Sequence, residues 1–104
     1  MTVHYARVGE DNVDISVVLS ADVESADSVV WHAVNGVDEI TVTANAATGP
    51  NVSVTLTDTE ITAANVGTWA QFWRVTNGAD GAGPLDYPSN PKQRDTLVIK
   101  AAKS

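Results

Sequence analysis

His4 and His32 are the only histidines of this 104-residue chain, and they are its first candidates for chemistry, because a positioned imidazole is the commonest general base. A base needs something to activate. The serines at 16, 20, 25, 28, 53, 89 and 104 sit in no sharp turn resembling G-x-S-x-G, and both histidines fall inside predicted strands, so ordinary strand histidines are the expectation. The adjacent carboxylates Glu10-Asp11 and Asp38-Glu39 lie in predicted loops, which do not supply the dry setting a general acid requires. Acid/base and nucleophilic catalysis are therefore not indicated, and no catalytic residue is assigned.

Ligand sites are equally sparse. Asp11, Asn12 and Asp14 cluster after Gly9, and residues 77–81 read Asn-Gly-Ala-Asp-Gly, but neither segment has the oxygen-ligand spacing of a calcium loop. Turns select the same side chains for their own backbone bonds. The glycine-rich NGADGAG lacks the lysine and following hydroxyl of a phosphate-binding loop. Without cysteine there is no disulfide framework, thiolate zinc site or thiol nucleophile. No metal and no cofactor is expected.

The elements that would position any site are strands. Apolar residues recur at a period of two: Val13, Ile15, Val17 and Leu19; Ile40, Val42 and Ala44; Val52, Val54 and Leu56; Leu97, Ile99 and Ala101. Turn residues separate the runs. The pattern predicts seven strands, at about 2–8, 12–19, 28–34, 39–44, 51–56, 68–76 and 95–101, a long loop at about 77–90 and a short tail at 102–104. Short strands with one dry face each imply an all-β, Ig-like, two-sheet antiparallel sandwich forming one domain over residues 1–104. One segment departs from the alternation. Thr57 and Glu60 have capping-box spacing, and Ile61, Ala63 and Ala64 would give a helical turn a small apolar side before Gly67 ends it.

In GTWAQFWRV, Trp69, Gln71, Trp73 and Val75 alternate with Thr68, Ala70, Phe72 and Arg74. Placing Trp69 and Trp73 in the core with Trp31 turns Phe72 outward beside Arg74, an exposed aromatic flanked by a guanidinium, which is the composition of an interface centre. Tyr87 lies in GPLDYPSNP among Pro84, Pro88 and Pro91, a stiff segment suited to an ordered crossover or a contact loop. Phe72, Arg74 and Tyr87 are thus the expected interface residues.

Thirteen acidic against six basic residues give a net charge of −7, which repels phosphate backbones and argues against nucleic acid as the main partner. The charge is divided: residues 1–65 carry ten acids and only Arg7 as a base, and residues 66–104 carry three acids and five bases. No apolar run is long enough to span a bilayer, and MTVHYARVGE lacks the basic-then-apolar order of a signal peptide, so a soluble protein used from its first residue is expected, with no membrane partner.

The segment LTDTEITAANVGTWAQFWRV, with a strand ending Leu-Thr, a capped turn, and Gly-Thr-aromatic opening a long strand, resembles the small Ig-like domains of tailed-bacteriophage structural proteins. It is similar to the N-terminal domain of baseplate upper proteins and to minor tail and head-decoration proteins. GEDNVDISVVL, ADSVVWHAV and the terminal TLVIKA fit the opening, third and last strands of that family. The resemblance implies a non-enzymatic virion component assembled in the bacterial cytoplasm. It would dock in multiple copies through protein-protein contacts onto the tail or baseplate, as a minor tail protein, or onto the major capsid protein as a decoration. The competing class is a carbohydrate- or host-surface-binding module, which would need exposed, roughly coplanar aromatics.

Overall fold

A computed structural model describes residues 2–10, 12–20, 22–24, 26, 28–76 and 84–102. The period-two segments form eight strands: β1 (Val3–Arg7), β2 (Val13–Val18), β3 (Ser28–Asn35), β4 (Asp38–Thr43), β5 (Asn51–Leu56), β6 (Gly67–Thr76), β7 (Leu85–Tyr87) and β8 (Asp95–Lys100). Two short 3-10 helices, Ala63–Asn65 and Pro91–Gln93, interrupt them. One sheet has the order β1-β8-β6-β3-β4, with β7 beside the far end of β6, and the second is the pair β2-β5. The chain is an all-β, two-sheet sandwich whose larger sheet is extended and whose opposing sheet is reduced to two strands.

The long strand β6 organises the large sheet. Along one edge it pairs with β3 from Ser28↔Thr76 to Val34↔Ala70. Its other edge is shared: β8 covers Gly67 to Gln71, and β7 covers Trp73 to Val75. Gly67 enters β6 at φ +149°, in a region side chains rarely adopt, and a Cβ there would stand 3.2 Å from Asn35 Nδ2. The β3–β4 hairpin closes over two residues with Gly36 first, at φ +63°, the glycine-first form of a II′ turn.

Three expectations need correction. Seven strands become eight, because Leu85–Tyr87 lies in the expected loop and takes the ladder that β8 leaves vacant on β6. Residues 77–83 of that loop, and Lys103 and Ser104 of the tail, lie outside the described residues. The sandwich is not wholly antiparallel: β1 runs parallel to β8, a pairing that needs a long connection and here has nearly the whole chain as one. The capped turn forms only in part. Glu60 Oε1 accepts the Thr57 backbone N–H at 2.8 Å, while Thr57 Oγ1 accepts from Thr59 N–H at 3.2 Å rather than from Glu60. Of its expected apolar side, Ile61 is buried and Ala63 and Ala64 are exposed.

The core fills with the inward residues of both sheets, and Trp31, Trp69 and Trp73 all belong to it, as the alternation of β6 required. A buried indole N–H needs an acceptor. Trp31 Nε1–H donates to Gln71 Oε1 at 3.0 Å, and Trp69 Nε1–H donates to the Asn65 carbonyl at 2.9 Å. With its oxygen taken by a group that only donates, the Gln71 amide donates to His4 Nδ1 at 3.1 Å, which assigns the His4 proton to Nε2 in the neutral ring. His4 is thereby part of the packing.

Trp73→Ala should cost about 3–5 kcal/mol in urea unfolding, the range of large aromatic truncations in cores. A loss below about 1 kcal/mol would mean that β6 presents its other face to the core.

Candidate functional site

The outer face of the large sheet carries the residues left over when the core is assigned. By alternation these are Val30, His32 and Val34 on β3, Ala70, Phe72 and Arg74 on β6, Val98 and Lys100 on β8, and Tyr5 and Arg7 on β1. Phe72 points to this side, as expected, but it is only 4% exposed. The reading of Phe72 as an exposed aromatic is therefore corrected.

Its cover comes from three directions. Across the β3·β6 ladder His32 is its registered neighbour, and the imidazole stacks on the ring with centroids 4.8 Å apart and planes 6° from parallel. On the other side β6 passes from β8, ending at Gln71↔Asp95, to β7, starting at Trp73↔Tyr87, so Phe72 sits at the junction of the two short strands. Arg94, immediately before β8, fills that junction with its Cζ 4.1 Å from the ring centroid. Arg74 stands further off at 5.4 Å. Two guanidiniums facing one aromatic ring form a cation-π lid that lets the ring be covered without an apolar layer above it.

The lid is electrostatically uneven. Arg74 is held by Asp86 of β7 in a two-point contact, Nε to Oδ1 at 2.8 Å and Nη2 to Oδ2 at 3.2 Å. That hydrogen bond raises the Arg74 pKa and lowers the Asp86 pKa below its usual value, partial burial opposing both shifts; the charges of Arg94 and His32 lower Asp86 further. His32 Nδ1 lies 3.4 Å from Glu39 Oε2, close enough for attraction when the ring is protonated, yet misaligned for a hydrogen bond. The Arg94 side chain has no hydrogen-bond or ion-pair partner among the described residues, and its Nε is buried.

Tyr87 is elsewhere. It alternates with Asp86 on β7, so it faces inward, half-buried against the core beside Trp73, and the structure does not bring it together with Phe72 and Arg74. A cis peptide bond joins it to Pro88. It lines a cleft of about 320 Å³ at the side of the sandwich, whose floor is Gln71 and Trp73 and whose opposite wall is Val18 and Leu19 of the β2 side.

The sequence reading missed Arg94, Asp86 and His32 as members of this cluster. Leu85-Asp86-Tyr87 carried a weak signal in its alternation, but nothing local tied Arg94 to Phe72. Among the described residues no group of three or more His, Asp or Glu side chains could hold a metal ion. Of the acidic clusters weighed above, Asp11 and residues 77–81 lie outside the described residues, and Asp14 Oδ1 accepts from Thr55 Oγ1 at 2.7 Å. No protein-family model and no curated protein matches this chain.

Phe72→Ala, expected from an outward-facing position to be mild, should instead cost about 3 kcal/mol, approaching a core truncation. Asp86→Asn removes a pair that is partly solvated, with side chains 41% and 30% exposed, so its cost at neutral pH should be about 0.5–1 kcal/mol. Because the folded-state pKa of Asp86 is depressed, its contribution is complete above the usual value near 3.8 and disappears as pH falls through the lowered folded value. Urea titrations from pH 7 to pH 2.5 should show the two proteins converging at the acid end; a gap independent of pH would exclude the ion pair as its source.

Proposed function

We propose that this protein is a non-enzymatic virion structural protein of a tailed bacteriophage. It docks in multiple copies onto other structural proteins, most simply as a minor tail protein and next as a capsid decoration, through the outer face of its large sheet. The phage setting is supported by the sequence resemblance from Val8 to Ala101, and the choice of face by Arg94. That guanidinium is stacked on Phe72 with none of its donors engaged among the described residues, so a partner carboxylate would meet a cation already oriented and partly dried.

The surroundings suit a protein surface. Arg7, Arg74, Arg94 and Lys100 make this face the basic side of a chain of net charge −7, and Tyr5, 60% exposed with Lys100 Nζ 4.8 Å from its ring, adds an aromatic at one border. Half-buried Val30, Val34 and Val98 provide the apolar ground between the charges. Trp31, Trp69 and Trp73 are each no more than 3% exposed, which leaves a sugar-binding platform without its usual aromatics.

Arg94→Glu is the variant of choice, because it reverses the free charge without emptying the space that Phe72 fills. It should fold with unchanged circular dichroism and be reduced at least tenfold on purified particles, as counted by quantitative mass spectrometry, since losing a buried charged contact costs about 2–5 kcal/mol. Wild-type occupancy by the variant would remove this face from the interface. Particles that lack the wild-type chain altogether would overturn the virion reading.

A further inference from the structure

The two-stranded sheet is incomplete on one side, and its backbone shows which side. Leu19 N–H donates to the Pro50 carbonyl at 2.8 Å, extending the β2·β5 register by one pair. Antiparallel strands alternate the direction of their backbone groups, so Val13, Ile15, Val17 and Leu19 turn theirs toward β5. Asp14, Ser16 and Val18 then turn theirs away. The same logic, applied to β5, sends Ser53 outward, where its carbonyl accepts from Asn45 N–H at 2.9 Å. The β5 edge is thus covered in part by the chain itself, at Ser53 and at Asn51, which pairs with Thr48. On the β2 edge, the backbone groups of Asp14, Ser16 and Val18 meet no partner among the described residues.

Three features distinguish this edge from an ordinary solvated one. Val18, beside the cleft, is 71% exposed, an apolar side chain where edge strands often carry a blocking charge or proline, and the one charge of β2, Asp14, lies at its other end. The cleft lined by Tyr87 opens directly alongside it, with room for about ten waters at roughly 30 Å³ each. The first strand does not close it, because β1 is committed to β8 in the other sheet.

We propose that the free edge of β2 accepts an extended segment of a partner protein, which adds a third strand to the small sheet and places alternate apolar side chains in the cleft over Gln71 and Trp73. The flanks of that segment are basic. Exposed Glu10 lies at one end of β2 and exposed Asp22 and Glu24 at the other, with Asp14 on the edge itself and Asp95 on the far wall of the cleft. A second copy of this chain does not fit. Two-fold pairing of β2 with itself about Ser16 sets Asp14 against Val18, but carries Glu10 of each copy toward Asp22 of the other, opposing like charges at both ends. This inference stands on the small sheet and does not depend on the outer face of the large one.

The test uses the whole protein and three synthetic octapeptides of alternating valine and threonine: one with lysine at both ends, one with glutamate at both ends, and one lysine-ended with proline at every threonine position. Amide exchange followed by nuclear magnetic resonance should show the Ser16 and Val18 amides protected at least tenfold by the lysine-ended peptide. The glutamate-ended peptide should bind at least tenfold more weakly, and the proline peptide, which cannot complete a ladder, should not protect these amides. Val18→Lys, an exposed substitution, should abolish protection while leaving the dispersion of the spectrum intact. Absence of protection by any peptide, equal binding of the two charge forms, or protection of Ser16 by raising the protein concentration alone would each overturn the proposal.

Discussion

A buried indole N–H must find an acceptor, and in this sandwich that requirement is met across the two central strands. Trp31 of β3 donates to Gln71 of β6, and the same glutamine reaches His4 of β1. Those bonds hold only in the register that sets Trp31 against Trp73 and Ala33 against Gln71. A slip of one residue would turn Phe72 and Arg74 inward and bury a guanidinium among aliphatic side chains, a cost far greater than any hydrogen bond regained. The polar link therefore fixes which face of β6 becomes core.

The opposite face follows from that assignment. Once Trp69, Gln71 and Trp73 point inward, Phe72 must emerge on the outside of the sheet, where an aliphatic layer is absent. Its ring is covered instead by groups that tolerate water on their far side: His32 by stacking, and Arg94 and Arg74 by cation-π contact. An aromatic on an outer sheet face can thus be nearly inaccessible while the surface above it remains charged.

Much of this was legible in the amino-acid pattern. The alternation in NVDISVVL, EITVTA and NVSVTL is what buries Ile15, Ile40, Val52 and Val54, and the division of GTWAQFWRV into two faces is realised residue for residue. What was hidden has a common cause: it depends on contacts distant in sequence. The burial of Phe72 is decided by Arg94 and by the point where β8 gives way to β7, and neither has a local signal. The alternation of Leu85-Asp86-Tyr87 is too short to separate a strand from a loop, and β7 forms beside a stretch of β6 that would otherwise lack a ladder on that edge. The inward direction of Tyr87 follows from that pairing, and prolines around it suggested a loop. The parallel alliance of β1 with β8 was invisible for the same reason.

The division of charge along the sequence acquires a spatial meaning in the fold. Glu10, Asp22 and Glu24 bracket β2, in the small sheet, whereas Arg7, Arg74, Arg94 and Lys100 gather on the outer face of the large one. The core lies between them, so the two surfaces are held apart and face opposite directions. Such a dipolar layout orients a partner before contact and disfavours like-faced association between copies. It also distinguishes the two surfaces by the kind of group each presents. The large sheet offers side chains, a guanidinium above an aromatic ring, which on the proposed reading would meet a carboxylate on a folded surface. The small sheet offers backbone, a row of amides and carbonyls without partners among the described residues, beside a cleft that on the proposed reading would take an extended chain. The two surfaces differ chemically because of how the strands are shared out: the five-strand path of the large sheet presents side chains outward, while the pair β2-β5 leaves backbone at its edge.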